Sequence, residues 1–201
     1  MSVAQLLAAL ASPDPTPGGG TAAAIAGAMG ASLLVMVAAL PKSKSNTDDE
    51  RAALARASAA IQPLASRLTQ LADEDARAFD AVMAAYRLAK ASDDEKAARA
   101  RAIQDALRQA TTVPLETVRA CGAAIEYGRA VADFGNRSAS SDVGVAIGLL
   151  QAAADGAAAN VRINLTSLKD ESFRDTTAAE LARLAEAARS HAAEALRSVA
   201  S

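Results

Sequence analysis

The sequence predicts an all-α protein, a single-domain bundle of about six to seven helices, some of them long and bent. Three observations predict it. Hydrophobic types make up 51% of the 201 residues but aromatics only 2%, with no Trp, so the apolar content is chiefly Ala, Leu and Val in a chain rich in helix formers. Apolar residues recur at spacings of three and four over long stretches, and no strand-like alternation of comparable strength competes with them. Ser or Thr followed three residues later by Glu marks helix starts at two places.

Taken in order, residues 2–11 form a short apolar segment, and a second helical stretch follows the triple glycine from about Thr21 to Leu40. "PKSKSNTDDE" then supplies a break. Beyond it Ile61, Ala65, Leu68, Ala72, Asp75, Phe79, Val82 and Tyr86 step by alternating fours and threes, the signature of one face of a long helix. Ser92 and Glu95 form a capping box opening the next helix, which is expected to run to about Thr111, with Pro114 near the first turn of another. That helix fades at "FGNRSASSDVG", a loop feeding a helix that reaches toward Leu168. Thr177 and Glu180 form a further capping box, and Leu181, Leu184, Ala188, His191, Ala195 and Val199 continue a helical period to the end. No fixed-period repeat and no interdomain linker interrupts this, so residues 1–201 are expected to make one domain. Alanine-rich helices bury little area per residue, and pairing with a second copy is a natural supplement.

Composition narrows the function. With 21 basic against 23 acidic residues the net charge is −2, and no basic stripe interleaved with aromatics is present, which argues against a nucleic-acid partner. A neutral or small anionic ligand fits better. Cys121 is the only cysteine and His191 the only histidine. Neither a disulfide framework nor a zinc site has the residues it needs, and Cys121 is expected to be a buried, inert thiol in a reducing compartment. The N-terminus "MSVAQLLAAL" lacks a basic leader region, and no apolar stretch is expected to span a membrane. The chain is expected to be cytoplasmic.

Chemistry concentrates in two places. In "SPDPTPGGGTAAAIAGAMG", Pro13, Pro15 and Pro17 stiffen an extended approach, whereas Gly18, Gly19 and Gly20 allow positive φ and offer N–H groups with no Cβ in the way. A helix starting there adds unpaired N–H groups and a positive dipole end, suited to a carboxylate, a carbonyl or a heterocycle edge. A plain turn accounts for the same residues. Ala22, Ala23, Ala26, Gly27 and Gly30 favour close approach, by a ligand or by another helix. The second place is Asp75, whose carboxylate falls on the apolar seam while Asp73 and Glu74 point elsewhere. A charge on such a stripe must be paired, hydrogen-bonded or useful, and desolvation raises its pKa toward the range of general acid–base work. An interhelical ion pair or a helix cap explains it equally. Asp142 lies in the first turn of a predicted helix, as a possible partner for Asp75 or simply a charge favourable to the helix dipole. Asn160 and Asn164 share one face of that helix, as a buried network or a solvated edge.

Taken together, "SPDPTPGGGTAAAIAGAMGASLLVMVAAL", "DEDARAFDAVMAAYRL", "VPLETVRAC", "GNRSASSDVGVA" and "AAANVRINLTSL" resemble the C-terminal family of formiminotransferase-cyclodeaminase, which includes free-standing methenyltetrahydrofolate cyclohydrolases. The resemblance covers nearly the whole chain in order. It implies an all-helical homodimer acting on a one-carbon tetrahydrofolate derivative, with no metal or redox cofactor and no coenzyme beyond that substrate. It implies that Pro17, Gly18, Gly19 and Gly20 line the folate cleft, that Asp75 and Asp142 are the acid–base pair, and that Asn160 and Asn164 support the site. One departure stands out. Relatives carry a Gly/Lys-rich turn ending in an aromatic residue where this chain has "LPKSKSN", in which Lys42 and Lys44 are expected either to attract the glutamate tail of folate or to be solvated loop lysines. Two reactions share the chemistry: cyclodeamination of 5-formimidoyltetrahydrofolate with loss of ammonia, and hydrolysis of 5,10-methenyltetrahydrofolate to 10-formyltetrahydrofolate. The alternative is a non-catalytic scaffold or regulatory bundle, for which Leu or Ala at position 75 would be the cheaper choice.

Overall fold

The structure, a computed structural model, describes residues 1–40 and 46–200. Lys42 and Lys44 lie outside the described residues. Six α-helices carry nearly all of the rest: α1 Val3–Leu10, α2 Gly19–Ala39, α3 Asp48–Tyr86, α4 Asp93–Phe134, α5 Ser140–Leu165 and α6 Glu171–Ala200, with a single 3-10 turn at Arg137–Ala139 before α5. Capping boxes open three of them, at Ser2 with Gln5, Thr47 with Glu50 and Ser92 with Glu95. The all-α expectation holds, with no strand among the described residues.

Two helix boundaries differ from the sequence expectation. No break separates Thr111 from Pro114: α4 is one helix of 42 residues with Pro114 inside it. Nor do Thr177 and Glu180 start a helix. Thr177 is buried within α6, and the start is set by Asp170, whose Oδ1 accepts from the Phe173 N–H at 3.0 Å. A Thr-x-x-Glu pattern caps only where the chain enters the helix, and here the helix is already six residues old.

α2 packs against α3, α5 and α4. Its small residues make that closeness possible. A methyl group at Gly30 would stand 2.6 Å from the Ala146 carbonyl oxygen of α5, and one at Gly27 would stand 2.8 Å from Cys121 Sγ of α4. These two glycines therefore serve helix packing rather than a ligand, and Cys121 is buried with burial pushing its thiol pKa up to about 12. Leu34, Val37, Ile61, Leu68, Leu71, Ile125, Ile147 and Leu150 fill the core around them. α2 is also, among the described residues, long and apolar enough to cross a membrane, which corrects the expectation that no segment is. Its inner face, from Thr21 to Val37, is buried in the bundle.

Arginines fasten the outer helices. Arg67 of α3 holds Glu116 of α4 and Glu74 of its own helix. Arg119 of α4 makes two bonds of 2.8 Å to Glu180 of α6, and Arg129 reaches Glu194 further along the same pair of helices.

Candidate active site

The alternating spacing along α3 does define one face, but the face changes role along its length. Ile61, Leu68 and Ala72 are buried in the core, and then the same stripe emerges: Asp75 is half-buried and Phe79 is 38% exposed. At this point α3 passes the N-terminus of α2, and a cleft of about 270 Å³ opens between them, closed on its far side by α5. Gly18, Gly19 and Gly20, Asp75, Phe79, Ala110, Asn160 and Asn164 line it, together with Pro15 and Thr16. The Pro-rich approach turns into α2 through a cis Thr16–Pro17 peptide bond. Pro17, expected to line the cleft, is not among its lining residues.

Asp75 is held by the helix end it faces. Thr21, the third residue of α2, donates its hydroxyl to Asp75 Oδ2 at 3.1 Å, and its backbone N–H also bonds the carboxylate. Asp75 thus satisfies an N–H that every helix start leaves without an intrahelical partner. Gly20 is what permits the approach. A methyl there would stand 2.6 Å from Asp75 Cγ and overlap the carboxyl oxygens. Gly19 is the opposite case, since a methyl there meets nothing within 4 Å and would point into open cleft. The freedom to take positive φ, expected from the sequence, is not used, because no described glycine has a positive φ. Close approach is the reason for glycine here.

Among the described residues, no cation pairs with Asp75. Burial is the largest influence on its pKa and raises it, while the Thr21 hydroxyl and N–H bonds pull it partly back. Of the two bland explanations left open by the sequence, the ion pair is not found among the described residues, whereas the cap is, since Asp75 accepts from Thr21 at the start of α2; the desolvated carboxyl also stands over the cleft.

The opposite wall is set by a proline. Pro114 has no N–H to give the carbonyl of Ala110, four residues earlier in α4, and Asn164 of α5 supplies the bond instead, its Nδ2 donating to Ala110 O at 2.7 Å. That bond fixes the amide, because turning it over would set oxygen against oxygen. The Asn164 Oδ1 is left as an acceptor. Asn160 follows the same pattern more loosely, with Nδ2 donating to Gly156 O at 3.4 Å.

Asp142 is not part of this assembly. It lies in the first turn of α5, 18 residues from Asn160, which at 1.5 Å per residue is about 27 Å along the helix. The expectation that Asp142 shares a proton with Asp75 is not met within one chain, because α5 runs the length of the bundle and carries Asp142 to its other end. Sequence reasoning also missed Thr21 and read Phe79 only as part of the helical face. Thr21 is adjacent to the triple glycine, and that adjacency was the available signal.

Fold and site together define an all-helical bundle that holds, in a cleft at the start of α2, a carboxyl with no cation beside it among the described residues. Comparison with known proteins gives the family. Residues 2–183 match the formiminotransferase-cyclodeaminase family model. Methenyltetrahydrofolate cyclohydrolase of Methylorubrum extorquens is 44% identical over 180 residues, covering 90% of this chain and 86% of that protein. Formimidoyltransferase-cyclodeaminase of Mus musculus is 37% identical over 180 residues, which span 88% of this chain but only 33% of the mouse protein. The crystal structure of formiminotetrahydrofolate cyclodeaminase from Thermotoga maritima superposes with a TM-score of 0.87 at 29% identity, covering 100% of this chain and 96% of that one. The chain belongs to the formiminotransferase-cyclodeaminase family.

Proposed function

We propose that this protein is a folate one-carbon enzyme that hydrolyses 5,10-methenyltetrahydrofolate to 10-formyltetrahydrofolate, with Asp75 as its catalytic carboxyl. The observation that carries this is the unpaired, half-buried Asp75 on the cleft wall. The methenyl bridge is a delocalised cation, so the substrate itself supplies the positive charge that no arginine or lysine among the described residues lining the cleft supplies. Water adds to the bridging carbon as Asp75 takes one of its protons, giving a tetrahedral carbinolamine. The N5–carbon bond then breaks, the oxygen's second proton leaves as the formyl C=O forms, one proton goes to N5, and one is released. Asp75 alternates between base and acid through these steps. Phe79 offers a ring face to the pterin, and Asn160 and Asn164 offer acceptors to its N–H edges. A cleft of about 270 Å³ suits the bicyclic head of folate, leaving the tail outside. The carboxyl and the tetrahydrofolate substrate account for the chemistry without metal or redox cofactor, and a cytoplasmic setting fits a lone thiol kept buried.

Cyclohydrolysis is favoured over cyclodeamination by the higher identity to a cyclohydrolase of similar length. Cyclodeamination is the second reading, supported by the whole-chain match to a free-standing cyclodeaminase. Absorbance separates them. Purified protein is expected to deplete the methenyltetrahydrofolate band, and its appearance with ammonia from the formimidoyl substrate would establish the second reading instead. Inertness toward both would leave the scaffold.

A homodimer is part of the proposal, with α2 at its interface. α2 contains no charged residue, its outer face exposes Met29 by 54% and Met36 by 38%, and a groove of about 550 Å³ runs beside Ile25, Met29 and Leu33. Contiguous apolar surface of this kind is covered in stable proteins. Met29→Glu is expected to convert the dimer to monomer in sedimentation velocity, whereas a dimer unmoved by that change would place the interface elsewhere.

A further inference from the structure

Thr21 behaves unlike four other threonines inside helices. The hydroxyls of Thr69, Thr111, Thr112 and Thr117 each donate to the carbonyl four residues back in their own helix. Thr21 instead reaches across to α3, and there its Oγ1 lies between two oxygens, 3.1 Å from Asp75 Oδ2 and 3.4 Å from the Ala72 carbonyl. The two oxygens differ in kind. A carbonyl only accepts, whereas a carboxyl accepts when ionised and donates when protonated, and a hydroxyl has one donor and two lone pairs that rotate to suit.

We propose that Thr21 is a positioning residue that holds Asp75 in both halves of its proton cycle. With Asp75 ionised, the Thr21 hydroxyl donates to Oδ2. With Asp75 protonated, the carboxyl O–H donates to Thr21 Oγ1, and the threonine hydrogen turns to the Ala72 carbonyl. Oγ1 stays where it is and keeps its own proton throughout, so a rotation of one hydrogen matches the protein to either charge state of Asp75. Catalytic groups that stay put as charge changes avoid reorganisation during the reaction. Thr21 is buried, at 6% exposure, so water does not substitute for it.

The inference rests on Asp75 being the acid–base group of the proposed reaction. Among the described residues lining the cleft, no other is ionisable. Charged neighbours on each adjoining element are engaged or turned away: Asp14 bonds Ser12, Glu74 is held by Arg67, Arg108 by Asp170, while Asp73, Arg77 and Arg162 are exposed and α2 carries none. Among the described residues, only Thr21 acts on Asp75 besides burial.

Thr21→Val keeps the shape and removes the hydroxyl, and Thr21→Ser restores the hydroxyl without the methyl. In the full-length protein, Thr21→Val is expected to lower kcat about tenfold or more with KM little changed. Because the hydroxyl bond favours ionised Asp75, its loss is expected to move the Asp75-dependent limb of the pH profile upward. Thr21→Ser is expected to recover both. A valine variant with normal kcat and an unmoved limb overturns the inference, as does a serine variant that fails to recover. Should Val disturb folding, seen as a lowered Tm, Thr21→Ala supplies the same chemical deletion. The carboxyl titration of Asp75 by 13C NMR gives a readout independent of turnover: a midpoint unchanged by loss of the hydroxyl overturns the Thr21 role, whereas wild-type inertness toward both folates overturns the proposed function alone.

Discussion

Asp75 and Glu116 are carboxylates on facing helices, and their surroundings act on them in opposite directions. On the α3–α4–α6 seam, Glu116 lies against Arg67 with Arg119 nearby, and Glu180 lies against Arg119. Each is held below the usual carboxylate range, chiefly by its arginine hydrogen bonds. In the cleft, Asp75 has burial to raise it and only a threonine to pull it back. What sets the proposed catalytic carboxyl apart is thus that, among the described residues, no cation pairs with it. The seam carboxylates stabilise the fold above their unfolded pKa, and that contribution is lost as pH falls through the lower folded values. Asp75 has the reverse sign: its folded pKa lies above the ordinary 3.8, so ionising it costs stability as pH rises through that value.

Replacing Asp75 breaks the contrast most severely. Asp75→Asn is expected to lower kcat by about 10²-fold or more, measured by depletion of methenyltetrahydrofolate absorbance. The amide oxygen still accepts from Thr21, so the variant is expected to stay folded and, above the Asp75 pKa, to unfold at a higher temperature than wild type. A smaller loss is expected from Gly20→Ala, whose methyl displaces the carboxyl from the end of α2. A shift of this kind costs roughly 10- to 100-fold in turnover. Asp142→Asn is expected to change activity by no more than about twofold, the scale of a surface substitution. A collapse of activity in a folded Asp142→Asn protein would mean that two copies share one cleft.

Much of this was legible in the sequence. The three-and-four spacing along α3 placed Asp75 on a buried face, and the triple glycine marked the start of α2, so both walls of the candidate site were visible separately. What joined them was not. That Gly20 exists to admit Asp75 depends on two segments 55 residues apart meeting, which no local pattern states. Pro114 shows the same limit. As a local signal it marks a helix start, but α5 brings Asn164 to the carbonyl it leaves unpartnered, and the tertiary bond lets α4 continue. The other proline inside a helix, Pro63, is exposed, as is Ala59 four residues before it, so solvent serves there. Within one chain Asp142 stands apart from Asp75 for a reason of length: it shares a helix face with Asn160, but about five turns of α5 separate them.

Carboxyl-selective 13C NMR on labelled protein, with each resonance assigned by its Asn or Gln variant, tests the electrostatic core of this account. Asp75 is predicted to titrate above 3.8, while Glu116 and Glu180 titrate below 4.5. An Asp75 midpoint at or beneath its ordinary value would contradict it.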